Sequence, residues 1–173
     1  MREPADAQRI EGLARALGHV VAPGTRMYLT GGATAVLEGW RESTVDVDVR
    51  FEPDSDAALE RIRDLKNELA LNVELASPLD FLPPLPDWRD RSRFRLREGN
   101  LEVFDFDPYS QALSKLQRGF DLDLADVRNM VDSGQVEPAK LAQLFEAIES
   151  ELYRFPAVDP ASLRAAVESL RSR

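Results

Sequence analysis

Two stretches of this chain carry residue types that can do chemistry at short spacing. Gly31-Gly32 follows the short run Arg26-Met-Tyr-Leu-Thr30, and thirteen residues further on comes Asp46-Val-Asp-Val49. A glycine pair at a strand end brings bare backbone close to a ligand, and free N–H groups there can hold phosphate oxygens. Asp46 and Asp48 lie in a segment whose Val45, Val47 and Val49 alternate, so on a strand both carboxylates point to one face. Two adjacent like charges are unfavourable without a positive partner. A divalent metal is the simplest such partner, and metal-bridged phosphates are the usual substrate for that arrangement. Asp-x-Asp alone equally marks a solvated strand face; the glycine pair one short helix upstream sets this instance apart.

Composition narrows the chemistry further. The chain has 173 residues, 22 basic and 31 acidic, for a net charge of −9, and 43% hydrophobic residues support a sizeable core. With no cysteine there is no disulfide, thiolate metal site or cysteine nucleophile, and a single histidine, His19, excludes a multi-histidine zinc centre. Any metal should therefore be a hard, oxygen-liganded cation. An acidic chain binds nucleic acid only through a local basic patch. No run approaches the roughly 18–20 apolar residues of a membrane span, and no basic-then-apolar stretch opens the chain, so a cytoplasmic protein without membrane contact is expected.

These residues must be positioned by regular elements. Residues 4–17 read as an amphipathic helix, 26–30 as a strand, 33–40 as a short helix, 44–50 as a strand, 55–69 as a helix and 71–76 as a strand. Residues 77–87 hold four prolines and read as an irregular loop. Segments 92–97 and 101–106 flank Glu98-Gly99-Asn100, a hairpin turn. Helical patterns then cover 108–118, 122–132, 138–153 and 160–171, with Pro108, Pro138 and Pro160 at first-turn positions. The expected fold is α+β: a mixed sheet flanked by helices over 1–107, with a helical region 108–173 packed on it.

The unit Thr30-Gly31-Gly32, helical spacer, Asp46-Val-Asp48-Val resembles the nucleotidyltransferase superfamily signature, with Thr30 where the family has an apolar residue. Asn72–Phe81, Asp107-Pro-Tyr109, Ser114-Lys-Leu116, Arg118 and Asp123-Leu-Ala-Asp126 extend the likeness to small bacterial nucleotidyltransferase-like domains near the AbiEii-type toxins, over residues 27–131. The resemblance implies that Gly31 and Gly32 contact the triphosphate of an NTP and that Asp46 and Asp48 hold Mg²⁺. Such domains usually add a third carboxylate from a neighbouring strand. Glu74 is the first choice, since alternation puts it with Asn72 on a polar face; Asp105 is the competitor. Lys115 would offset charge on the leaving group, and Asp123 or Asp126 matches the family's downstream aspartate. The implied activity is Mg²⁺-dependent transfer of a nucleotidyl group to an RNA end, such as tRNA, or to a protein hydroxyl. The implied setting is a toxin–antitoxin pair with a cognate protein partner. The alternative is a non-catalytic binding or regulatory subunit on the same fold.

Arg89-Asp-Arg-Ser-Arg-Phe-Arg-Leu-Arg97 places five arginines in nine residues of an acidic protein. Strand alternation puts Arg93, Arg95 and Arg97 on one face. That row could track an RNA backbone or reach the nucleotide phosphates, with Arg93 and Arg95 as the binding pair. It could equally protect a hairpin edge by charge or pair with Glu102.

Overall fold

Ile10, Leu13, Ala14 and Leu17 recur at helical spacing, and they form the buried face of α1 (Ala7–Gly18). The helix starts three residues later than the periodicity predicts, because Asp6 is its N-cap and accepts the Arg9 N–H at 2.9 Å. Ahead of it, Ala5 is extended and exchanges backbone hydrogen bonds with Thr44 at 2.7 and 2.9 Å. The structure is a computed structural model that describes residues 4–172.

β1 (Thr25–Thr30), α2 (Gly32–Leu37), β2 (Asp46–Glu52), α3 (Asp56–Glu68) and β3 (Asn72–Leu75) come next along the chain. After an excursion come β4 (Arg93–Glu98) and β5 (Leu101–Asp105). The five strands make one mixed sheet in the order β3-β2-β1-β5-β4. β1 pairs antiparallel with β2 and parallel with β5; β2 and β3 are parallel, and β4–β5 is the expected hairpin. Met27, Leu29, Val47, Val49, Val73, Leu101 and Val103 share one face and form the core with α1, α2 and α3. The other face carries Arg26, Tyr28, Thr30, Asp46, Asp48, Arg50, Asn72, Glu74 and Phe104, as the strand registers require.

The helices of the last third are α5 (Pro108–Arg118), α6 (Asp121–Asp132), α7 (Pro138–Glu149) and α8 (Pro160–Arg171), preceded by the single turn α4 (Trp88–Arg91). α7 is shorter than the pattern predicts: it ends at Glu149, and a separate 3₁₀ turn covers Leu152–Arg154. α5 contacts α6, α7 and α8.

The chain divides into two compact units. One runs to Ser77 and resumes over Ser92–Asp105; the other takes Pro78–Arg91 and continues from Phe106. The sequence pattern predicts a single cut at 107/108, in ranges whose residues 1–3 and 173 lie outside the described residues. The proline-rich segment instead belongs with the helices. Trp88 stacks on Phe106 at 4.3 Å, and the Arg91 guanidinium donates twice to Asp107, both at 3.0 Å. Asp107 is fully buried and also accepts from the Tyr109 and Ser110 N–H groups, so one carboxylate caps α5 and anchors the segment.

Candidate active site

β1 runs straight into the glycine pair. Gly31 sits at φ +64°, ψ −132°, a conformation that side chains disfavour, and a Cβ there would lie 2.8 Å from Asp48 Oδ2. A Cβ on Gly32 would lie 2.1 Å from Thr44 Oγ1. The two glycines are thus required by close approach as much as by turn geometry. Thr44 Oγ1 donates to the Asp46 carbonyl at 3.0 Å, and Thr34 Oγ1 donates back to the Leu29 carbonyl at 3.3 Å. Arg41 Nη1 stands 3.4 Å from the place of a Gly32 Cβ. The Thr44 and Arg41 side chains therefore crowd the place where Gly32 would carry a Cβ. The sequence reading missed both, and the only available signal was their place in the spacer between the two motifs.

The register brings the carboxylates together. Thr30 is opposite Asp48, Asp48 is opposite Glu74, and Asp46 is opposite Asn72. Asp46, Asp48 and Glu74 accordingly share the polar face. The Asn72 amide donates to Asp46 Oδ1 at 2.5 Å and to Glu74 Oε1 at 3.0 Å, bridging two acids of the row. Asp105 lies elsewhere: it is opposite Leu29, one residue before Thr30, and so points to the other side of the sheet. Of the two candidates for third carboxylate, only Glu74 shares a face with the Asp-x-Asp pair.

Among the described residues, no three acidic or histidine side chains converge into a ready-made metal cage. The donor set still fits a divalent cation of the Mg²⁺ kind. It is all oxygen, and Mg²⁺ usually takes only one or two carboxylates, with substrate phosphates and water completing its shell. At Gly31 the Asp48 carboxylate lies against bare backbone, which brings the acid row up to the glycine turn at the end of β1.

Arg93 and Arg95 are not aligned with Arg97. The β4–β5 pairing steps from Phe94↔Phe104 to Leu96↔Val103, so Arg95 is an extra residue in a bulge. Arg97 consequently falls on the polar face and pairs with Glu102. Arg93 and Arg95 instead meet Glu38 and Asp105. Arg93 Nη2 is 2.6 Å from Glu38 Oε1 and 3.2 Å from Asp105 Oδ2; Arg95 Nη2 is 2.5 Å from Asp105 Oδ2 and also bonds Glu38. With Phe94, these four line a depression of about 360 Å³. Burial pushes the Asp105 carboxyl above its ordinary value despite both arginines. Burial acts the same way on Glu38, but Arg95 and Arg93 more than offset it and leave that carboxyl low. The two guanidinium charges are thus compensated from within.

Lys115 lies in the helical unit and is 3% exposed. Its Nζ is 2.6 Å from Asp126 Oδ2 and 3.5 Å from Asp123 Oδ1, and Arg118 Nη2 donates to Asp123 at 2.7 Å. Lys115, Asp123 and Asp126 are therefore one buried ion network across α5 and α6, with Arg118 at its exposed margin.

A glycine turn running into a short helix, followed by an antiparallel strand that carries Asp-x-Asp on a mixed sheet, defines a nucleotidyltransferase-like domain. The chain belongs to the family DUF6036, described as a nucleotidyltransferase of unknown function, which it matches over residues 14–165. No curated protein and no solved structure matches it. No helix among the described residues is long and apolar enough to cross a membrane.

Proposed function

We propose that the protein transfers a nucleotidyl group from an NTP to a hydroxyl, on an RNA end or on a protein, in a Mg²⁺-dependent reaction. The observation that carries this is Asp48 held against the bare backbone of Gly31, with Asp46 and Glu74 in the same row. In this reading Gly31 and Gly32 admit the triphosphate, Asp46 and Asp48 would hold the cation, and Glu74 is the third acid beside them in the row. Bound Mg²⁺ would supply charge neutralisation on the phosphate oxygens. The acceptor hydroxyl oxygen bonds the α-phosphorus and the α–β bridging bond breaks. Pyrophosphate leaves with that electron pair, and the hydroxyl proton passes to a carboxylate of the row or to water. The toxin–antitoxin setting belongs to the same proposal.

Incubation with each α-labelled NTP, Mg²⁺ and a small-RNA pool tests it, with Asp46→Ala/Asp48→Ala in parallel. Label that appears in RNA or protein and vanishes in the variant is the expected result. No label in either, together with no heat of Mg²⁺–NTP binding, would remove the activity. A non-catalytic binding module is the second reading, favoured by the internal pairing of Lys115 with Asp126. Label transfer separates the two, and Lys115→Met refines the first: a loss of turnover with fold and NTP binding retained keeps the charge-offsetting role that the resemblance assigns to this lysine.

A further inference from the structure

We propose that Asn72 is the positioning residue of the acid row: its side-chain amide sets the Asp46 carboxylate for a divalent cation before the cation arrives. This rests on the nucleotidyltransferase reading and adds to it a residue that holds a ligand without being one. β2 and β3 run parallel, with Asn72 opposite Asp46 and Glu74 opposite Asp48. Four polar side chains thus make a square on one sheet face, three acids and one amide. The Asn72 nitrogen gives one hydrogen across the strands, to Asp46 Oδ1 at 2.5 Å, and the other along its own strand, to Glu74 Oε1 at 3.0 Å. This corner of the square uses two hydrogens on one nitrogen. A threonine or serine hydroxyl has one, an ionised aspartate has none, and a reversed amide would turn its carbonyl oxygen toward both acids.

The needs of the strand do not explain an asparagine here. β3 is a four-residue edge strand, and Asn72 is half-buried in it. Asparagine is depleted in strands, where threonine or valine would serve better. Protection of an edge by charge calls for lysine or arginine, as on β4. A cationic side chain in this place would pair with Asp46 and Glu74 and compete with a metal ion, and an aspartate would face Asp46 charge to charge. The amide does neither. Held through Oδ1, the Asp46 carboxylate stops turning about its last torsion. Mg²⁺ demands near-ideal octahedral geometry, so a ligand whose direction is already fixed loses less freedom on binding. Glu74 is exposed, and the same amide keeps its carboxylate beside the pair.

The test is calorimetric titration of the metal-free full chain with Mn²⁺, alone and with an NTP analogue whose α–β bridge is a methylene that does not cleave. Outer partners of metal ligands are worth about 10–100-fold in affinity, so Asn72→Leu should weaken Mn²⁺ binding about tenfold or more. Its urea midpoint should change little, because the two side chains are similar in size and the position is half-buried. Asn72→Gln keeps both hydrogens one methylene further out and should fall between wild type and Asn72→Leu. In transfer assays the Mg²⁺ concentration for half-maximal rate should rise for Asn72→Leu, with the rate at saturating Mg²⁺ largely kept. Asp46→Asn/Asp48→Asn should abolish the heat, which locates the ion at the row. Equal Mn²⁺ affinities of wild type and Asn72→Leu overturn the proposal, and so does an absence of heat in both titrations of wild type. If Asn72→Leu does not fold, Asn72→Thr makes the same comparison: folded with wild-type affinity it overturns the proposal, and folded with weakened affinity it supports it. Mn²⁺ binding that depends on Asn72, with no nucleotide ever transferred, keeps the proposal and removes the activity reading. Transfer with an Mn²⁺ affinity indifferent to Asn72 does the reverse.

Discussion

The β2–β3 acid row and the Glu38–Asp105 cluster occupy opposite faces at one end of the same sheet, and their carboxylates are held differently. Asp46 and Glu74 share the neutral Asn72 amide, and among the described residues neither has an ion pair. Glu38 and Asp105 share two guanidinium groups. An amide orders a carboxylate without cancelling its charge, so Asp46 and Glu74 keep theirs. The cluster's charges already neutralise one another and tie the end of α2 to the hairpin. Charge count alone would not separate them; the identity of the hydrogen-bond donor does.

The largest test of this contrast is Asp46→Asn/Asp48→Asn. Nucleotidyl transfer should fall by about 10³-fold, the several kcal/mol that metal-borne charge stabilisation is worth. The urea midpoint should change little, because asparagine keeps the shape of each side chain and an oxygen that can accept. A large drop in stability instead would make the row structural. Next is Asp105→Asn, which leaves two guanidiniums with one carboxylate and should cost about 1–3 kcal/mol in urea denaturation. If it also abolished transfer while the fold held, the cluster would be part of the site. Gly31→Ala should cost about 1–2 kcal/mol from backbone strain and displace Asp48, read as weaker Mn²⁺ binding by calorimetry. Smallest is Glu38→Gln, read as a change in pH dependence. Folded Glu38 ionises more readily than unfolded glutamate, so it adds stability above the unfolded value. That stability is lost as pH falls through the lower folded value. Wild type should therefore lose more stability than Glu38→Gln as pH is taken from neutral to below the ordinary glutamate range of about 4. Parallel losses in the two proteins would show that Glu38 ionises alike folded and unfolded.

Period-two alternation is enough to place Asp46, Asp48 and Glu74 on polar strand faces, because that signal is local. Choosing Glu74 over Asp105 requires the sheet order, which joins strands far apart in sequence and leaves no trace in either segment. The arginine row fails for a different reason. A bulge inserts one residue, and Arg-Phe-Arg-Leu-Arg reads as unbroken alternation whether or not Arg95 is paired. Lys115 on an amphipathic helix reads as solvated; only Asp123 and Asp126, one helix turn apart on the next helix, hint at a buried partner. Phe94 is legible as an aromatic between arginines, but its alignment with Phe104 and Tyr28 is not.

The division at Ser77, Arg91 and Asp105 has a consequence for how the chain reaches its structure during synthesis. β1 is made early, yet its parallel partner β5 emerges more than seventy residues later, after a segment that joins the other unit. Until then β1 has β2 on one side and an open hydrogen-bonding edge on the other. Sheet completion is thus a late, non-local event, and such events are slow and expose partly folded chains to aggregation. A nascent chain halted before Leu101 would present that open edge of β1, and it is there that a holding chaperone would find its purchase.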